Sequence, residues 1–240
     1  PLTFPVASVR QAPMSLWTRI TEALSALASG EGLGVMFDKL RKPPELTVGF
    51  AIAVIALGAK MAKADGRVTR NEVTAFREVF AIPQADEKSA ARVFNLARED
   101  VAGFEDYARK IAAMFHSDSA VLSDLMDGLF HIAVADGTYH PNEDLFLARV
   151  AEIFGMTKRE FAALRARNVP DARPDPYTVL GVDSTMSLED IRKVWRGLVR
   201  DTHPDRMMAR GVPEEAIKLA QSRLIAINNA WEEIQTHHGG

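Results

Sequence analysis

The sequence has 240 residues, of which 47% are hydrophobic and 25% are charged, a composition typical of soluble globular proteins. The formal net charge of −3 provides no overall attraction to nucleic acid or to an anionic membrane. Cysteine is absent, which excludes disulfide bonds and thiolate zinc sites. We therefore expect no nucleic-acid partner and no dependence on an oxidising compartment.

The N-terminal region divides into two parts. Residues 1–13 contain three prolines and no periodicity, so we expect them to be vector-derived or disordered, with the natural start at Met14. Apolar residues at helical spacing then predict an amphipathic helix over 15–29, which we expect to pack against the rest of the protein. Attachment of this helix to a membrane surface is a weaker alternative. Together these parts form an N-terminal extension over residues 1–44.

The run from Leu46 to Ala59 is the most apolar stretch of the chain. It is shorter than the roughly 20 residues that a transmembrane helix needs, so it predicts a buried core helix. We expect no transmembrane span in this sequence. The expected location is cytoplasmic, with a peripheral position at the inner face of the membrane left open.

Periodic apolar residues predict an all-α protein, because the alternation typical of strands is missing. The helices predicted after the extension are 46–64, 70–81, 84–99, 103–115, 119–135, 141–154 and 158–167. Residues 168–176 contain three prolines and predict an extended linker. We therefore expect a helical domain over 45–167 and a smaller module over 177–240.

The helical domain contains an internal repeat. The matched pairs, each 71 positions apart, are Asp65-Gly66 with Asp136-Gly137 and Asn71-Glu72 with Asn142-Glu143. In both copies an apolar helix is predicted to end at Asp-Gly, and a new helix begins close to the glutamate. Two helix-turn-helix halves are therefore expected in one bundle.

The repeated acidic residues allow two interpretations. Asp65 with Glu72, and Asp136 with Glu143, offer the hard oxygen ligands that divalent cations prefer. Alternatively, the glycine after each aspartate suits a left-handed helix end, and each glutamate suits a helix N-terminus. We favour the structural role, since it accounts for every position and two carboxylates are few for a calcium site. A bound divalent cation stays open as the alternative, and we expect no other cofactor.

This repeated pattern resembles the TerB-like domain, an all-helical module found in tellurite-resistance proteins and beside J-domains. The resemblance covers about residues 45–167. Acidic residues of that family have been proposed to bind metal, and the matching positions in this sequence are Asp65, Glu72, Asp136 and Glu143.

The C-terminal module is predicted to be a small helical hairpin. A helix from Ser187 to Asp201 has one apolar side and one cationic side, and the cations are Arg192, Lys193, Arg196 and Arg200. A second long helix, from Pro213 to Thr236, is expected to face the first through Leu219, Leu224, Ile227, Trp231 and Ile234. The loop between them contains His203-Pro204-Asp205, which we call the tripeptide. Because proline restricts the backbone, we expect the tripeptide on a stiff, exposed tip.

These motifs resemble the J-domain in order and spacing. They are Tyr177-x-x-Leu180-Gly181, Ile191-Arg-Lys-x-Trp195, His203-Pro204-Asp205-Arg206 and Ile227-Asn228-x-Ala230-Trp231. The resemblance implies that the tripeptide binds a DnaK-type chaperone and stimulates its ATP hydrolysis. It also implies that Arg192, Lys193, Arg196 and Arg200 attract this partner.

The order of a TerB-like domain, a proline-containing linker and a J-domain is similar to the DjlA group of co-chaperones. The resemblance implies a protein that is not itself an enzyme and that uses its TerB-like domain to select a location or a client. The identity of that client and the existence of a homodimer stay open. The alternative is a divalent-metal- or stress-responsive binding module in which the J-domain is secondary.

Overall fold

All of the regular secondary structure in the described part of the chain is helical, which confirms the all-α prediction. The computed structural model describes residues 16–25, 31–39, 45–64, 82, 84, 87–99, 103–116, 118–170 and 174–239. The predicted helix over 70–81 lies outside these ranges, as do residues 1–15. The first copy of the repeat, with Asp65 and Glu72, lies outside them too.

The helices of the N-terminal extension and first domain are α1 (Leu16–Ser25), α2 (Leu33–Lys39), α3 (Glu45–Ala64), α4 (Glu87–Glu99), α5 (Phe104–Met114), α6 (Ser119–Ala133), α7 (Pro141–Ile153) and α8 (Lys158–Asn168). Those of the C-terminal module are α9 (Pro176–Leu180), α10 (Leu188–Asp201), α11 (Pro204–Ala209), α12 (Glu214–Ile217) and α13 (Leu219–Gly239).

Helix α3 forms the centre of the first domain. Every residue from 48 to 62 is buried, as expected for a helix that is apolar on all sides. It contacts α4, α5 and α6, and the side chain of Val54 on α3 lies next to Gly128 of α6. The prediction of a core helix is therefore confirmed. Within the described ranges, no helix is both long and apolar enough to cross a membrane.

The two described helices of the N-terminal extension, α1 and α2, pack against this core. Ile20 and Leu24 of α1 are fully buried, and the Thr21 and Ser89 hydroxyls lie 2.7 Å apart in a hydrogen bond between α1 and α4. Helix α2 was not predicted, because Gly32 and Gly34 suggested a break in helical structure. It forms because Leu33 and Phe37, four positions apart, are both fully buried against the domain.

In the C-terminal module, α10 and α13 form the predicted hairpin. Trp195 of α10 stacks on Trp231 of α13 with ring centroids 5.2 Å apart, and Trp195 Nε1 donates to Asn228 Oδ1 at 3.0 Å. Ile191, Ile227 and Ile234 are fully buried beside them. These contacts hold α10 and α13 together in the part of the module that contains the two tryptophans.

The other end of the module differs from the prediction. The expected single helix from Pro213 to Thr236 is divided at Lys218 into α12 and α13, and α11 occupies the expected loop. Leu219 packs against the core of the first domain and not against α10. The prediction was wrong at this end because an apolar face can be buried by another domain as well as by its own hairpin partner.

The two parts of the chain contact each other through α8 with α9 and through α6 with α13. Helix α8 continues to Asn168 and α9 begins at Pro176, so the segment between them is shorter than the predicted linker. Gly181 has a positive φ of 69°, and a Cβ there would lie 3.4 Å from Ala163 Cβ of α8. Helices α8 and α9, which lie on either side of the linker, therefore pack directly against each other.

Candidate functional site

The tripeptide forms the start of α11. His203 is the residue before the helix, and its Nδ1 accepts a hydrogen bond of 3.2 Å from the backbone N–H of Asp205. Pro204 occupies the first helical position, where its missing N–H has no intrahelical partner to lose. A side-chain cap and a proline together fix the backbone of all three residues.

Both ionisable side chains of the tripeptide lie at the surface. The His203 side chain is 60% exposed and that of Asp205 is 82% exposed, and His203 Nδ1 lies 3.7 Å from Asp205 Oδ2. Because Nδ1 is occupied as an acceptor, Nε2 is the nitrogen that carries the proton in the neutral ring. The tripeptide thus presents one N–H donor and one carboxylate to an approaching partner.

The cationic face, which comprises Arg192, Lys193, Arg196 and Arg200, is exposed on α10. Its members differ in their local ion pairs. Lys193 Nζ lies 3.0 Å from Asp190 Oδ1 and 3.3 Å from Glu189 Oε1, and hydrogen bonds to these carboxylates raise the pKa of Lys193. Arg200 Nε lies 3.7 Å from Asp201 Oδ1.

Arg192 and Arg196 make no ion pair with any residue that the structure describes. They therefore contribute the charge on α10 that is least compensated within the chain. The four cations were equivalent in the prediction, whereas the structure divides them into two with local ion pairs, Lys193 and Arg200, and two without.

The acidic residues of the second repeat are used in local structure. Asp136 Oδ1 accepts from the Thr138 N–H at 2.8 Å, and Oδ2 lies 3.6 Å from His140 Nε2. Glu143 is buried, and its Oε2 accepts from the His140 N–H at 2.8 Å at the start of α7. Gly137 adopts a left-handed φ of 86°. Across the described ranges, no group of three or more His, Cys, Asp or Glu residues could hold a metal ion.

A buried charged cluster between the two domains was not predicted. This interdomain cluster comprises Asp124 and Asp127 on α6, with Arg210 after α11 and Arg223 on α13. Asp124 Oδ2 accepts from Arg210 Nη2 at 2.6 Å and from Nε at 3.2 Å, and Asp124 Oδ1 accepts from Arg223 Nη2 at 3.0 Å. Arg223 Nη1 donates to Asp127.

The burial of the interdomain cluster is unusual for charged side chains. The side chain of Asp124 is 2% exposed and that of Arg223 is 8% exposed. Burial disfavours a charged guanidinium, but Asp127 and Asp124 nevertheless raise the pKa of Arg223. One sequence signal could have indicated this cluster: two aspartates three positions apart on the otherwise apolar helix α6.

A second polar seam lies between α8 and the C-terminal module. Arg167 Nε donates to the Val179 carbonyl at 2.7 Å, and burial lowers the pKa of Arg167 to about 10. Asn168 Nδ2 donates to Asp127 Oδ1 at 2.7 Å, which connects this seam to the interdomain cluster. Both contacts are formed by the last two residues of α8.

Comparison with known protein families finds two matches in the chain. Residues 51–166 match the family described as tellurite resistance protein TerB, and residues 175–237 match the DnaJ domain. The tripeptide and the cationic face lie in the second match. Asp124 and Asp127 lie in the first match, and their partners Arg210 and Arg223 lie in the second. No solved structure matches the chain.

Several curated proteins are similar over both parts. A co-chaperone protein DjlA from Photobacterium profundum is 24% identical over 88% of this chain and 85% of its own length. The DjlA of Coxiella burnetii is 27% identical over 73% of this chain and 72% of its own, and that of Escherichia coli K12 is 23% identical over 94% and 99%. The chain therefore has a TerB domain followed by a C-terminal DnaJ domain, and over both parts it is similar to curated proteins named co-chaperone protein DjlA.

Proposed function

We propose that this protein is a co-chaperone that binds a DnaK-type chaperone through its DnaJ domain and stimulates ATP hydrolysis by that partner. The observation that carries the proposal is the exposed tripeptide, fixed at the start of α11 beside the exposed cationic face of α10. The names of the similar proteins, which are co-chaperones, support the same function.

The two surface features have different roles in the proposed contact. The cationic face supplies long-range attraction to an acidic surface, which raises the association rate more than the final affinity. The tripeptide supplies short-range contacts through His203 Nε2 and the Asp205 carboxylate. The protein then acts by altering the partner's ATPase centre, and ATP hydrolysis takes place in the partner.

Docking of the two domains is compatible with this contact. The TerB domain packs against the back of α11 and the start of α13, where Met207 and Ala220 are buried. Meanwhile His203, Asp205 and the cationic face stay exposed. We therefore propose that the protein binds its partner without separating the domains. The TerB domain is further proposed to select where, or on which client, the chaperone is recruited.

ATP turnover by a DnaK-type chaperone tests this proposal. Adding the wild-type protein is expected to accelerate turnover, and adding His203→Gln is expected to leave the rate at its basal value. His237→Gln is a matched control, because His237 is also exposed but lies in the last turn of α13. Equal stimulation by the wild type and His203→Gln, with both proteins folded, would refute the proposed role of the tripeptide.

A further inference from the structure

Building on the proposed function, we infer that Asp124 of the TerB domain is a positioning residue for the tripeptide and acts on it through Arg210. The TerB domain would then help to set the geometry of the chaperone-activating loop in addition to any role in targeting. Asp124 lies on α6 and does not belong to the DnaJ domain.

Arg210 closes the loop that carries the tripeptide. Its Nη2 donates to the carbonyl oxygen of Asp201 at 2.9 Å, and Asp201 is the last residue of α10. The same guanidinium is bound to Asp124 through Nη2 and Nε. Because the last carbonyls of a helix lack intrahelical partners, this hydrogen bond joins the end of α10 to the end of α11. The tripeptide lies between these two ends.

An apolar contact also holds the loop that carries the tripeptide. Met207 is 3% exposed and lies in the buried apolar cluster that also contains the core of the TerB domain, although it is only two residues after Asp205. The backbone N–H of Met207 donates to the carbonyl of His203 at 3.1 Å. The backbone of the tripeptide is thus connected to the TerB domain by one apolar contact and one charged contact.

The alternative is that the interdomain cluster only holds the domains together. Asp127→Asn can distinguish the two possibilities, because Asp127 binds Arg223 and Asn168, whereas no hydrogen bond or ion pair joins Asp127 to Arg210 among the described residues. If either aspartate is neutralised, Arg223 keeps one carboxylate partner. Only neutralisation of Asp124 also removes the charged partner of Arg210. Asp127→Asn is therefore a matched control for Asp124→Asn.

The experiment measures chaperone ATP turnover against the concentration of the added full-length variant. For Asp124→Asn we expect the maximal stimulation to fall about tenfold, with a smaller change in the half-maximal concentration, because a charge-assisted hydrogen bond that fixes the loop is lost. Asp127→Asn should retain most of the stimulation. The double variant Asp124→Asn with Arg210→Gln should be no worse than Arg210→Gln alone, since both changes interrupt the same connection.

A second readout needs no partner. The backbone amide ¹H–¹⁵N signals of His203 and Asp205 should shift in Asp124→Asn and stay in place in Asp127→Asn. If Asp124→Asn does not fold, Arg210→Lys serves instead, because lysine keeps the charge but lacks the fork that joins Asp124 to the Asp201 carbonyl. Arg210→Lys should lower the maximal stimulation and shift the same amide signals.

The outcomes separate this inference from the proposed function. If the wild-type protein gives no stimulation, the proposed function fails, and the amide signals still decide whether Asp124 positions the loop. If the wild type stimulates but Asp124→Asn and Asp127→Asn behave alike in both measurements, the positioning role is overturned. The proposed function would stand in that case.

Discussion

The charges around the tripeptide and those of the interdomain cluster share the same residue types but differ in burial. Asp205 and His203 are mostly exposed, whereas Asp124 and Arg223 are almost completely buried. Water and salt screen the first group, so its members contribute little to folding and are available to a partner. The second group has lost its hydration and depends on its mutual contacts. The exposed charges near the tripeptide can therefore act on a partner, whereas the buried charges of the interdomain cluster act within the chain.

Removal of Arg223 should give the largest effect on stability. Arg223→Ala would leave Asp124 and Asp127 buried without their shared cation, and loss of one partner of a buried ion pair costs about 3–5 kcal/mol. Urea unfolding of the full chain measures this change. The matched control is Arg196→Ala on the exposed cationic face, for which we expect a change within about 0.5 kcal/mol. Similar losses of unfolding free energy for Arg223→Ala and Arg196→Ala would contradict the distinction between buried and exposed charges.

Truncation of Met207 tests the apolar part of the domain contact. Met207→Ala should destabilise the folded chain by about 2–3 kcal/mol, because truncating a buried methionine removes apolar burial and leaves a cavity. The neighbouring residue Met208 is 50% exposed, so Met208→Ala provides the control and should change the free energy of unfolding little. Equal effects at both positions would show that α11 does not pack on the TerB domain as described.

The residues of the cationic face are expected to differ in how strongly they attract the chaperone. Arg196→Glu should raise the half-maximal concentration for chaperone stimulation several-fold, and added salt should reduce the difference from wild type. Lys193→Glu should have a smaller effect, since Glu189 and Asp190 already pair with Lys193. An effect of Lys193→Glu equal to that of Arg196→Glu would mean that the local ion pairs do not reduce the attraction of Lys193.

The smallest expected effect concerns Glu143. Glu143→Gln keeps an oxygen that can accept from the His140 N–H but removes the negative charge, so we expect the free energy of unfolding to fall by at most about 1 kcal/mol. Thermal unfolding with and without calcium tests the competing metal interpretation. A calcium-dependent rise of the melting temperature in the wild type that disappears in Glu143→Gln would favour a cation site. If Glu143 has only a structural role, the difference in melting temperature between the wild type and Glu143→Gln should be the same with and without calcium.

Local patterns were sufficient to predict most of the fold. The helical periods of α3, α6 and α10 and the position of the tripeptide could be read from neighbouring residues, because each depends on interactions a few positions apart. The short helix α2 was missed because burial of Leu33 and Phe37 overrides the glycines around them. Prediction was thus reliable where local propensity and burial agree.

The interdomain cluster could not be predicted in the same way. Arg210 and Arg223 bind aspartates that lie 86 to 99 positions away in sequence, and these contacts exist only after the domains dock. The same docking explains why Leu219 faces the TerB domain and not α10. A sequence pattern shows which face of a helix is apolar but not which neighbour covers it.

The proposed stimulation of a partner's ATPase by the exposed tripeptide is tested most simply by ATP turnover of a DnaK-type chaperone with Asp205→Asn. This change removes only the charge of a side chain that is 82% exposed, so the fold should be unaffected. Glu232→Gln, at an exposed position on α13, is the control. We expect basal turnover with Asp205→Asn and full stimulation with Glu232→Gln. Full stimulation with both variants would contradict the proposed role of the tripeptide.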